Sequence, residues 1–139
     1  MKIATWNVNS LKVRLPHVLE WLASAKPDVL ALQEIKQVTE AVDADSFVAA
    51  GYKAVASGQK TYNGVAIISR SDASDIVTDF PGFDDPQRRI LASTIDGVRV
   101  VNLYIPNGSS VGSDKYAYKL GWLAALKDFL ADELRAHEK

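Results

Sequence analysis

Asn7, Glu34 and Tyr104 are the residues whose type and placement best suit chemistry. Glu34 closes the apolar run Val29-Leu30-Ala31-Leu32-Gln33. A carboxylate there is costly to desolvate unless it is paired, hydrogen-bonded or bound to a metal. Asn7 ends the earlier run Ile3-Ala4-Thr5-Trp6, so two neighbouring strands would bring the two side chains together. Such a pair suits Mg²⁺, which takes oxygen ligands, keeps several waters and needs only one or two protein carboxylates. The same residues also fit a plain loop cap and a turn. Tyr104 precedes Ile105-Pro106-Asn107-Gly108 and is suited to hydrogen-bond a phosphate or, as phenolate, to act as acid, base or nucleophile. Asn107 is suited to bind a phosphate or a metal-bound water. Their structural alternative is a half-buried tyrosine beside a turn.

A second group could hold a polyanion. From Lys53 to Arg70 there are three basic residues and no acidic one, with Tyr62 in the loop between two apolar runs. Basic and aromatic residues interleaved on a loop fit phosphate contact plus stacking on nucleic acid. Lys12 and Arg14 beyond Asn9, Lys36 beyond Glu34, and Arg89 would rim the same edge. Arg88 and Arg89 follow Asp79, Asp84 and Asp85, so one of them is expected to pair locally.

Positioning these residues requires a particular order of elements. Residues 2–7 read as a strand, and Leu15, Val18, Leu19 and Leu22 recur at helical spacing, with Pro16 and His17 expected in the first turn. The run 29–35 reads as a central strand covered on both faces. This β-α-β order gives two parallel strands and places ligands at their carboxyl ends. Residues 37–51 suggest a short helix and loop, and 52–56 and 63–69 two strands joined by a protruding loop. A further strand is expected at 75–80. Asp96-Gly97 marks a tight hairpin between 89–95 and 98–104. From Asp114 onward Tyr116, Leu120, Leu123, Leu126, Leu130 and Leu134 keep helical spacing. The fold class is therefore α/β, a mixed sheet of six or so strands with flanking helices. Two main helices would leave one face of that sheet uncovered.

Composition excludes several classes. The 139 residues are 47% hydrophobic and 24% charged, an ordinary globular balance. Sixteen basic and seventeen acidic residues leave a net charge of −1, so any nucleic acid must be held by local sites. Zero cysteines exclude a disulfide framework, a thiolate nucleophile and Cys-ligated metal. His17 and His137 have no Ser/Asp partners nearby for a nucleophilic triad. Trp21 and Trp122 read as core or interface aromatics. With no membrane-length apolar run or signal segment, the chain is expected to be soluble and cytoplasmic, with no membrane partner.

Four stretches together, Thr5-Trp6-Asn7-Val8-Asn9-Ser10-Leu11-Lys12-Val13-Arg14, Lys26-Pro27-Asp28-Val29-Leu30-Ala31-Leu32-Gln33-Glu34, Tyr62-Asn63-Gly64-Val65-Ala66-Ile67-Ile68-Ser69 and Asn102-Leu103-Tyr104-Ile105-Pro106-Asn107-Gly108, resemble the exonuclease III family of bacterial-type AP endonucleases. That family belongs to the endonuclease/exonuclease/phosphatase superfamily. The resemblance implies a Mg²⁺-dependent DNA repair phosphodiesterase, with Mn²⁺ as the alternative ion. Its substrates would be double-stranded DNA with abasic sites, incised 5′ to the lesion, or 3′ ends. It implies Glu34 as metal ligand, Asn7 beside it on the metal or scissile phosphate, and Tyr104 orienting that phosphate. Lys12, Lys36, Tyr62, Arg89 and Asn107 would contact DNA.

The family pattern also includes a Gly-Asp-x-Asn segment and a terminal Ser-Asp-His, which this sequence does not contain. Residues 1–139 are therefore expected to be the N-terminal half of a four-layer α/β-β/α sandwich. The C-terminal half would be a partner, and the isolated chain would be inactive. Two other readings remain open: a non-catalytic DNA-binding module using Lys12, Lys36, Lys60 and Arg89, and a phosphoesterase acting on a phosphoinositide or sphingolipid head group.

Overall fold

The computed structural model describes residues 1–139. Strand β1 (Ile3–Asn7) leads through helix α1 (Leu11–Ala25) to β2 (Val29–Gln33), giving the expected parallel pair with Asn7 opposite Gln33. A short 3₁₀ turn at Thr39–Ala41 and helix α2 (Ala44–Ala49) precede β3 (Lys53–Ser57) and β4 (Val65–Ser69). β4 pairs antiparallel with both β2 and β3, so the first sheet is mixed, in the order β1-β2-β4-β3. All five residues of β2 and all five of β4 are buried, as continuous apolar runs require when both faces are covered.

The chain then forms β5 (Ser74–Val77), β6 (Ile90–Ile95), β7 (Val98–Leu103) and the long helix α3 (Asp114–Ala136). β5-β6-β7 is a separate antiparallel sheet. Its hairpin turns at Asp96 and Gly97 with φ of 49° and 75°, the two positive angles that an Asp-Gly turn accommodates. The single sheet of six or so strands expected from the sequence is thus two sheets. The inward side chains explain why they stack. Val29, Val65 and Ile67 of the first sheet and Leu91, Ile95 and Val100 of the second form one buried apolar layer. Outside it, α1 and α2 cover the first sheet through Leu11, Val18, Leu22 and Phe47. On the opposite side Trp122, Leu126 and Phe129 of α3 pack on Ile90 and Ala92 of β6. Four layers result, and the face expected to lie bare is covered by this chain's own second sheet. Along β1 it stays open, where inward-facing Ile3, Thr5 and Asn7 are exposed.

α1 starts at Leu11, earlier than the apolar spacing suggested, so Pro16 and His17 fall in its second turn. Two features fix that start: the Ser10 side chain accepts from Val13 N, and buried Leu11 donates its N–H to the Ile35 carbonyl at 3.1 Å. Trp122 is core, at 1% exposure, while Trp21 is half-buried and packs edge-on against Trp6 with ring centroids 6.2 Å apart. His137 lies just past α3, its Nε2 3.6 Å from Glu133. No helix is long and apolar enough to cross a membrane.

Candidate active site

The loops after β1 and β2 converge at the carboxyl end of the parallel pair. Asn9, Ser10, Glu34 and Lys36 all have left-handed backbones there, with φ of 44°, 90°, 55° and 55°. Four such non-glycine residues in one place cost conformational energy that the surroundings must offset. Backbone bonds do so on both sides. Ser10 N donates to the Glu34 carbonyl at 2.8 Å, Ile35 N to Gly64 O at 3.1 Å and Lys36 N to Asn63 O at 3.0 Å. Glu34 is thereby clamped between the β1 loop and the β3–β4 loop.

Its carboxylate is the hub of the site. Glu34 Oε1 accepts from Asn7 Nδ2 at 3.1 Å and from the Tyr104 hydroxyl at 2.6 Å, while Lys36 Nζ lies 3.5 Å from Oε2. The Tyr104 hydrogen bond, assisted by Asn7 and by the Lys36 charge, holds the Glu34 carboxyl below its ordinary pKa against the opposing effect of burial. Tyr104 moves the other way. Burial and the neighbouring carboxylate raise its pKa, with Arg89 opposing. It is therefore a neutral phenol that donates, and of the roles its type allowed, a resting phenolate nucleophile is disfavoured. Lys36 Nζ also donates to Asn9 Oδ1 at 2.5 Å, and Asn9 N donates to Asn7 Oδ1 at 3.1 Å.

Beside this hub lies a cleft of about 380 Å³ lined in part by Tyr62, Arg89, Tyr104, Asn107, Lys115 and Tyr118. The Arg89 guanidinium lies 4.7 Å from the Tyr104 ring centroid and 5.9 Å from that of Tyr118. Its Nε donates to Gln87 Oε1 and one Nη to the Tyr104 carbonyl, which leaves further N–H groups for a ligand. Arg88 pairs with Asp79 at 2.9 Å, the local pairing expected of one of the two arginines. The Tyr118 hydroxyl donates to Asp85 at 2.5 Å, and burial raises its pKa. Gln59 Oε1 accepts from both Asn63 Nδ2 and Arg88 N, fastening the Tyr62 loop to the segment that bears Arg89. Tyr62 itself is 68% exposed.

Asn7, Glu34, Tyr104 and Lys36 thus meet at one hub, with Arg89, Tyr62 and Asn107 around the adjoining cleft. Asn107 is exposed, its Oδ1 accepting from Ser109 N. Lys12 stands apart in the first turn of α1, in a different depression with Gln37 and Asp43. Lys60 is exposed on the β3–β4 loop. Sequence reasoning missed Gln59, Lys115 and Tyr118. Lys115 and Tyr118 lie in the first turns of α3 with no motif of their own, and Gln59 acts through contacts far along the chain.

As a metal centre the arrangement is sparse. No group of three or more His, Cys, Asp or Glu side chains is placed to hold an ion. Glu34 fits as one carboxylate ligand of a largely hydrated Mg²⁺. Asn7 turns its NH₂ toward Glu34 and engages its oxygen with Asn9 N, so in this orientation it steadies the carboxylate rather than ligating.

The sequence model of the Endonuclease/Exonuclease/phosphatase family matches residues 4–139. Exodeoxyribonuclease III of Haemophilus influenzae is 34% identical over 146 residues, covering 100% of this chain and 53% of the relative. The solved structure of the 3′ phosphatase NExo from Neisseria bound to product DNA hairpin superposes with a TM-score of 0.96 at 51% identity, covering 99% of this chain and 54% of that one. An AP endonuclease from Archaeoglobus fulgidus gives a TM-score of 0.90 at 40% identity, covering 94% and 51%. The chain spans about half the length of the relatives it matches.

Proposed function

Because the chain belongs to the endonuclease/exonuclease/phosphatase family, we propose that its residues form part of the active site of an exonuclease III-type DNA repair enzyme. In this reading residues 1–139 are the N-terminal half of the domain and the complementary half is their structural partner. The substrates are the sugar-phosphate backbone of duplex DNA at abasic sites and at 3′ ends. The observation that carries the reading is Glu34, an ionised carboxylate at the carboxyl end of parallel strands, anchored by Asn7 and Tyr104 beside a cleft with spare guanidinium donors.

Each group has a physical task. Arg89, Lys36 and Asn107 offer donors to phosphate oxygens, and Tyr62 offers an exposed ring to a sugar or base. Lys12 adds a backbone contact farther along the duplex. Tyr104, kept protonated, holds the Glu34 carboxylate in place and is positioned to share its hydroxyl with a phosphate oxygen. Glu34 would hold a divalent cation, Mg²⁺ or Mn²⁺, whose chemistry is to stabilise charge on the phosphate during hydrolysis. The names of similar proteins support both 3′-end processing and abasic-site incision. A cytoplasmic location follows from that reading.

The test is a gel assay of the full protein on two duplexes, one with an abasic-site analogue and one with a recessed 3′-phosphate, each with Mg²⁺ and with chelator. Incision or phosphate release that needs the cation and falls at least about 100-fold in Glu34→Gln is expected. Duplex binding without turnover of either substrate would replace this reading with the non-catalytic one.

A further inference from the structure

The Glu34–Tyr104 hydrogen bond joins two different sheets, and directional hydrogen bonds between sheets add to the offset that packed apolar side chains set. Directly beneath it the inter-sheet layer stops being apolar. Gln33, 8% exposed, and Asn102, 2% exposed, occupy positions where the same layer otherwise uses valine, isoleucine and leucine. Gln33 Nε2 donates its two N–H groups to Asn102 Oδ1 at 2.7 Å and Thr5 Oγ1 at 2.9 Å, with the Ala31 carbonyl oxygen 3.3 Å away. Asn102 Nδ2 donates across the gap to the Leu32 and Ala66 carbonyls, both at 2.9 Å, so one amide of the second sheet grips two strands of the first. Burying two carboxamides costs desolvation that these bonds offset, and their directionality specifies an arrangement that aliphatic side chains do not.

The spacing connects this layer to the site. Thr5 precedes Asn7 by two residues, Gln33 precedes Glu34 by one, and Asn102 precedes Tyr104 by two. We propose that Gln33 and Asn102 are positioning residues: their inter-sheet hydrogen bonds set the offset of β7 against β2 and thereby hold the Tyr104 hydroxyl on the Glu34 carboxylate. Neither side chain needs to touch substrate. This inference rests on reading Glu34 and Tyr104 as the reacting site, but the geometry it predicts exists without substrate or metal, so it can be tested separately.

The experiment uses full protein labelled with ¹³C at the glutamate carboxyls. The Glu34 resonance is assigned by Glu34→Gln and read at neutral pH without metal. Tyr104→Phe sets the displacement that accompanies loss of the hydrogen bond. Asn102→Leu and Gln33→Met, which roughly conserve volume, are expected to reproduce most of that displacement. A control at the same layer, Ser93→Ala, is expected to leave the resonance in place. In turnover, Asn102→Leu is expected to lower kcat about tenfold, the usual scale for groups that orient a reacting residue, with KM within about twofold of the parent. In that background Tyr104→Phe should cost less than it does in the parent. An unmoved Glu34 resonance in a folded variant, with only the melting temperature lowered, would show that the amides merely stabilise the fold and would overturn the proposal. If Asn102→Leu fails to fold, Gln33→Met decides by the same criterion. A protein without phosphodiesterase activity would refute the functional reading while leaving the resonance test in force.

Discussion

The Tyr104 hydroxyl donates to Glu34 Oε1 at 2.6 Å although Glu34 follows β2 and Tyr104 follows β7, so the shortest contact of the Glu34 carboxylate bridges two sheets. Truncating the phenol to phenylalanine removes the hydrogen bond that does most to keep the carboxylate ionised. Tyr104→Phe is expected to let the Glu34 pKa rise toward 4.5 and to cost on the order of 1 kcal/mol in stability. Carboxyl ¹³C titration and urea denaturation of the full protein measure the two effects. A Glu34 pKa no higher than in the parent would contradict the assignment of this hydrogen bond as the main cause.

The pH dependence follows from the same contact. A carboxyl held below its ordinary value of 4.5 in the folded state contributes stability that is present above that value and is lost as pH falls through the lowered folded pKa. Tyr104, held above its ordinary 10.0, contributes below pH 10 and loses its contribution as pH rises beyond that. Thermal melting of the parent is therefore expected to fall more steeply than that of Glu34→Gln below about pH 4.5. Parallel curves for the two proteins would show that Glu34 contributes nothing to acid sensitivity.

Ser93 presents a buried hydroxyl without a hydrogen-bond partner on the inter-sheet face of β6. Its desolvation is uncompensated, so Ser93→Ala should leave stability unchanged or raise it by up to about 1 kcal/mol. A loss of more than that in chemical denaturation would mean that the hydroxyl has a partner.

Gly58 lies where the β3–β4 loop passes the segment after Glu34. A Cβ there would sit 2.1 Å from the Gln37 carbonyl oxygen, against backbone rather than a movable side chain. Gly58→Ala is expected to cost about 1–3 kcal/mol and to shift the loop that carries Tyr62. Denaturation, together with tyrosine fluorescence quenching by an added duplex, checks both outcomes.

Arg89 keeps donors free beside two aromatic rings, whereas Lys12 lies outside their cleft on α1. Each substitution to alanine should reduce the salt slope of duplex binding by about 1. Arg89→Lys should recover little of the lost affinity, because a lysine reproduces neither the stacking nor the planar fork of donors. Full recovery would reduce Arg89 to a point charge.

Much of the site's placement was legible along the chain. The apolar run of β2 interrupted by Glu34, the β-α-β order that puts Asn7 beside it, and the Asp96-Gly97 hairpin that leads to Tyr104 are all local signals. They depend on periodicity and turn chemistry that neighbouring residues determine. Local pattern was less reliable at the start of α1, because a tertiary bond from Leu11 N to the Ile35 carbonyl extends the helix ahead of its apolar spacing.

What the sequence by itself determined were the elements, their order and the residue types able to bind a phosphate or a cation. Tertiary structure alone decided that the strands divide into two stacked sheets and that Tyr104 meets Glu34. It also decided that Arg89 rests beside Tyr104 and Tyr118, while Lys12 stays outside their cleft. The physical reason is that strand and helix formation follow the local spacing of apolar residues. The meeting of side chains about seventy positions apart depends on how whole faces pack, which no single stretch of chain encodes.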